Sequence, residues 1–153
     1  MMHTHWATAA AWVVCALLGV GTLMFQTALP PFFGLLLTLA ATVNTAGYAQ
    51  GLWHERTPFD EVVHGFTAFA GMAAAGWFVL KRQPQLSGLF WKAALTGLLI
   101  GVAWEGFEWA IGIMGDLRDT IIDLVMDTAG ALAAAALLRR VAGPGALSED
   151  RRS

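Results

Sequence analysis

Residues 119–138, DTIIDLVMDTAGALAAAALL, decide the fold. A helix of about 20 residues is about 30 Å long, the thickness of the hydrocarbon core of a bilayer. The run carries Asp119, Asp123 and Asp127 at i+4 intervals, which stack on one helix face. The same face continues through Ala131 and Ala134, small side chains that let membrane helices approach closely. Lipid offers no partner for acid on such a stripe, so the sequence predicts a transmembrane helix that turns its carboxylates into a bundle.

Working outward, four more mostly apolar runs are long enough to cross a membrane, at approximately 6–26, 32–52, 60–80 and 88–113. Pro30-Pro31, Thr57-Pro58, Gln83-Pro84 and Gly115-Asp116 separate them, as helix breaks should. The first run begins at Trp6 without a basic leader or a small-residue cleavage pattern, and reads as a retained span. The expected fold is therefore all-α, a polytopic bundle of about five transmembrane helices over 1–140. Residues 141–153 follow as a polar, disordered cytoplasmic tail. No second domain, long linker or internal repeat is expected.

Composition agrees. Of 153 residues, 57% are hydrophobic and 13% charged, about half the charge of a typical soluble domain, which argues against an ordinary soluble enzyme. A net charge of −2 offers no cationic surface for nucleic acid. The single Cys15 forms no intramolecular disulfide and no thiolate zinc site, and nothing indicates a nucleotide cofactor.

The basic residues set the expected orientation. Lys81, Arg82 and Lys92 flank one loop and Arg139, Arg140, Arg151 and Arg152 follow the last span, so seven of nine fall on one face, the cytoplasmic one. The N-terminus then lies outside, Trp6, Trp53 and Trp109 sit near the outer interface, and Trp77 and Trp91 near the inner one. A bacterial inner-membrane location follows.

Nine of eleven carboxylates, namely Glu55, Asp60, Glu61, Glu105, Glu108, Asp116, Asp119, Asp123 and Asp127, fall at or within the outer halves of the last three spans. At 1.5 Å per residue, His64 lies about 6 Å inside, Glu108 and Glu105 about 9 and 13 Å, and Asp123 and Asp127 about 6–13 Å. Asp60, His64, Thr67, Ala68 and Gly71 share one face, as do Gly97, Gly101, Glu105, Glu108 and Gly112. Acid packed this closely must share protons, take up water or bind a cation. His64, Glu105, Glu108, Asp123 and Asp127 are the first-choice metal ligands, with Asp60 and Asp119 second.

Plainer readings stand beside these. Thr57-Pro58-Phe59-Asp60 has the form of an N-cap, a proline at N1 and a carboxylate at N3, and Asp116 to Asp119 has the same shape. His54, Glu55 and Glu61 read as solvated interfacial groups, and His3 and His5 carry no signal. Asn44, Tyr48, Thr38 and Thr42 could line the same cavity, although Thr commonly bonds back to its own helix.

The blocks Phe59-Asp60-Glu61-Val62-Val63-His64-Gly65-Phe66, Trp104-Glu105-Gly106-Phe107-Glu108-Trp109 and Gly115-Asp116-Leu117-Arg118-Asp119, followed by Asp123 and Asp127-Thr128-Ala129-Gly130-Ala131, resemble the YjdF-like bacterial inner-membrane proteins. They are more distantly similar to the VanZ-like family, over residues 59–137. Glu108-Trp109 stands where VanZ-like chains tend to have Gln, and Asp127 where they have Asn. The YjdF-like likeness implies no defined activity. The VanZ-like one, through its association with glycopeptide resistance, implies a role facing the envelope or its lipids.

Three functions stay open. An outward-facing site of carboxylates and one imidazole suits Mn²⁺, Fe²⁺, Zn²⁺, Ca²⁺ or Mg²⁺. It could bind or act on an envelope lipid or head group, with metal-activated water as the nucleophile. Acid in membrane spans also marks proton or cation pathways, but the inner halves here carry no polar path. The third is a non-enzymatic binding or accessory subunit of a membrane complex.

Overall fold

The computed structural model describes residues 13, 17, 29–50, 52, 58–82, 87–112 and 115–142. Within them lie four helices: α1 (Pro31–Gln50), α2 (Phe59–Arg82), α3 (Leu89–Ile111) and α4 (Leu117–Ala142). No strand occurs among the described residues. Apart from residues 13 and 17, the run at 6–26 lies outside the described residues. So do Trp53, the loop residues His54, Glu55, Arg56 and Thr57, the side chain of Tyr48, and everything from residue 143 onward.

Local chemistry sets the helix ends. The Asp116 side chain accepts hydrogen bonds from the Arg118 and Asp119 N–H groups at 2.9 and 3.0 Å, capping α4 as the sequence suggests. At α2 the Pro58 carbonyl accepts the Val62 N–H at 3.2 Å. Pro58 therefore stands at the N-cap, one place earlier than the expected N1, which moves Asp60 to the second helical position. Helix α3 lies between Gly88 and Gly112, both left-handed (φ 66° and 75°). Gly112 returns its N–H to the carbonyls of Glu108 and Trp109, a common glycine termination.

Helices α2 and α4 form the most extensive contact, α3 packs on α4, and α1 on α2. Gly65 of α2 faces Met126 and Gly130 of α4, and Gly76 faces Leu138, so these two helices run parallel. Gly97 of α3 meets Ala131 and Gly101 meets Leu124 and Asp127, so α3 runs antiparallel to α4.

Two ends of the bundle differ in chemistry. Phe33, Leu36, Ala70, Ala73, Ala74, Ala134 and Leu138 form a buried apolar core, with the Phe33 and Trp77 rings 5.4 Å apart. The opposite end of α2 and α4 carries the acid. The exterior is apolar: Leu99, Ile100, Val102, Ile121 and Val125 are all more than half exposed. Such a surface suits lipid and not water.

Two described helices are long and apolar enough to cross a membrane, over Phe59–Lys81 and Leu117–Ala142, and Pro31–Gly47 is a shorter apolar stretch. The described elements are thus all helices, with an apolar exterior and two of them of membrane-crossing length.

Gly130 tests the α2–α4 contact. A Cβ there would collide with the Gly65 carbonyl oxygen and lie 3.0 Å from the Phe69 nitrogen, both rigid backbone. Gly130→Ala should cost about 1–3 kcal/mol of stability, the range for overpacking. A Cβ at Gly106 would meet nothing within 4 Å. Gly106→Ala should cause no loss, both variants being read by thermal unfolding in detergent.

Candidate functional site

Helix α2 brings Asp60 and His64 to one face at i,i+4, and α4 presents Asp123 and Asp127 at the same spacing. The parallel packing of α2 and α4 sets the two pairs side by side. His64 is 6% exposed, Asp123 2% and Asp127 8%.

The imidazole stands between two carboxylates. Its Nδ1 lies 3.3 Å from Asp127 Oδ1, and its Nε2 3.6 Å from Asp60 Oδ1. Asp60, His64 and Asp123 each bring a donor atom to one place, all within 4.8 Å of one another. Asp123 Oδ1 is buried and accepts no hydrogen bond. Groups of this kind are costly to bury without a partner.

Helix α3 closes the site from the side. Glu105 is 7% exposed; its Oε2 accepts a hydrogen bond from the Thr120 hydroxyl of α4 at 2.7 Å, and its Oε1 is buried without one. Glu108, one turn on, accepts a hydrogen bond from Trp104 Nε1 at 2.8 Å on a more exposed part of the same helix. Asp119 lies at the rim, within electrostatic reach of Asp60 and Asp123. Asp123 also feels His64 and Glu105, and Glu108 feels Glu105 and His64. Among the described residues no lysine or arginine pairs with any of these carboxylates, and Arg118 is exposed.

The structure therefore divides the sequence candidates. Asp60, a second choice by sequence, joins His64 and Asp123 in the converging trio. Asp127 stands on the far side of the imidazole as the partner of Nδ1. Glu105 and Glu108 stand beside the trio, each held by its own donor. Thr120 and Trp104 are site residues that the sequence reading does not single out. Trp104 is findable, because it lies four residues before Glu108. Thr120 is not, since pairing it with Glu105 needs the register of α3 on α4. Asn44 reaches across from α1 to donate to Thr67 Oγ1 at 2.9 Å, whereas Thr38 and Thr42 bond back to the carbonyls of Gly34 and Thr38.

The site gathers acid around one imidazole, and among the described residues no lysine or arginine pairs with it, so its carboxylates can be balanced by a proton on His64, by shared protons or by a bound cation. The Nδ1 bond to a carboxylate also fixes the ring orientation, the arrangement found where a histidine serves as a metal ligand through its other nitrogen.

Among protein families, the chain matches the one described as predicted membrane protein (DUF2238), over residues 2–143. No curated protein and no solved structure matches it.

The Thr120 hydroxyl is the donor that Glu105 has in this site. Thr120→Val keeps the shape and leaves both Glu105 oxygens unpartnered, which should cost about 1–3 kcal/mol. Thr120→Ser should retain wild-type stability. An equally stable valine variant in detergent unfolding would show that Glu105 draws no support from α4.

Proposed function

Because the chain belongs to the DUF2238 family of predicted membrane proteins, we propose that it is a polytopic protein of the bacterial inner membrane, YjdF-like in kind, whose polar site binds a divalent metal ion. One observation carries this reading: the convergence of Asp60, His64 and Asp123 donor atoms to within 4.8 Å. Three donors of one metal ion at about 2.0–2.2 Å stand about 3.3–3.8 Å apart in a tetrahedral or trigonal shell, so the trio closes such a shell by contracting up to about 1.5 Å.

His64 Nε2, Asp60 and Asp123 are the ligands, and Asp127 orients the ring through Nδ1. Glu105 and Glu108 line the side of the site. One imidazole among carboxylates suits Mn²⁺, Fe²⁺ or Zn²⁺. Three protein ligands would leave positions for water or for a phosphate oxygen of a lipid head group, the envelope-facing class that the VanZ-like resemblance implies. The ion supplies charge neutralisation and Lewis acidity.

In the membrane, α1 to α4 and the run at 6–26 make five spans, with the N-terminus outside and the C-terminus cytoplasmic. The parallel α2 and α4 then begin at the outer face, and the site opens outward. The cytoplasmic Lys and Arg residues support this orientation.

Elemental analysis of the detergent-purified protein tests the metal. Near-stoichiometric Mn, Fe or Zn is expected, and it should vanish in an Asp60→Asn, Asp123→Asn variant. With metal held at about 100 times Kd, chelation should lower stability by about 2.7 kcal/mol. Failure to take up any of the three ions on reconstitution, with a variant as stable as wild type, would remove the metal from the reading. A reporter fused after Ser153 tests the orientation: cytoplasmic activity is expected, and a periplasmic C-terminus would turn the site inward.

A further inference from the structure

Asp127 lies between two helices as well as along its own. Its Oδ1 is 3.3 Å from His64 Nδ1 on α2. Its Oδ2 points the other way, against Gly101 on α3, where a Cβ would come within 2.6 Å of it. The same Cβ would lie 2.9 Å from Leu124 Cδ2 and 3.4 Å from Asp127 Cβ. The carboxylate thus occupies the volume of the side chain that residue 101 lacks.

We infer that Gly101 is a positioning residue of the site: its missing side chain makes the space in which Asp127 holds the His64 ring in orientation. This deepens the metal-site reading and rests on it only for the effect on affinity.

The neighbouring backbone cannot give way. Asp127 cannot retreat with α4 toward α2, because Gly130 already sits against the Gly65 carbonyl. Nor can it advance far. Closing the 3.3 Å contact to an ordinary N–H···O distance moves the oxygen by about 0.5 Å, after which His64 blocks it. A methyl at residue 101 therefore forces the carboxylate to rotate, and rotation takes Oδ1 off the line of Nδ1. Leu124 differs: the obstructing atom is a side-chain tip that can swing away.

This difference supplies the test. The full chain, labelled with ¹⁵N-histidine and freed of metal in detergent, is compared as wild type, Asp127→Ala, Gly101→Ala and Gly101→Ala with Leu124→Ala. The His64 ring-nitrogen shifts report the Nδ1 hydrogen bond with no ion present. Both Gly101 variants should move these shifts toward those of Asp127→Ala, while the added Leu124→Ala returns thermal stability toward wild type. Affinity for Zn²⁺ or Mn²⁺ should fall about 10–100-fold in both, the usual effect of losing the carboxylate behind a ligating histidine. A double variant that regains both stability and the wild-type His64 spectrum would reduce Gly101 to a packing contact and overturn the inference. So would His64 shifts that ignore Asp127→Ala. If wild type takes up neither ion, the ring-nitrogen shifts still decide the role of Gly101, and only the metal reading falls.

Discussion

The polar end of the bundle depends on how closely α2 and α4 approach at Gly65 and Gly130. With no Cβ at Gly130, the Gly65 carbonyl lies against the α4 backbone. His64 precedes Gly65, and Asp127 lies three residues before Gly130, so the same contact sets imidazole and carboxylate 3.3 Å apart. In a membrane, where water provides no hydrophobic drive between helices, such close packing is a principal source of association. The site is thus a product of the interface and not of either helix alone.

Burial then sets the electrostatic terms. Asp123, Asp127 and Glu105 are each less than a tenth exposed, and His64 is the one basic group among the described residues that contacts the acidic cluster. Hydrogen bonds from Thr120 and Trp104 meet part of the demand of the glutamates. Asp123 Oδ1 and Glu105 Oε1 stay unmet by the protein, and an unmet buried carboxylate is the kind of group that a cation stabilises. The structure thereby gives the helices distinct parts. Helices α2 and α4 bring converging donors, and α3 brings a wall, a second pair of acids and the space at Gly101.

The apolar end works by different means. Phe33, Trp77, Ala73, Ala134 and Leu138 fill the space between α1, α2 and α4, and the Arg139 guanidinium lies 5.8 Å above the Phe90 ring where α3 begins. The α2–α4 pair is therefore packed through alanines and Leu138 at one end and through glycine beside acid at the other.

Much of this was legible in the sequence. The apolar runs and the proline and glycine breaks located the helices, because turn chemistry and hydrophobicity are local properties. The i+4 ladder of Asp119, Asp123 and Asp127, and the pair Asp60 and His64, identified the inward faces, because helical periodicity fixes which side chains stack. Asp116 was recognisable as a cap for the same reason. What the sequence could not supply was register. Only the packing of α2 on α4 brought Asp60 into the trio and set Asp127 behind the ring, and only that of α3 on α4 gave Thr120 to Glu105, because sliding one helix by a turn of about 5.4 Å would leave every local pattern intact and exchange every partner.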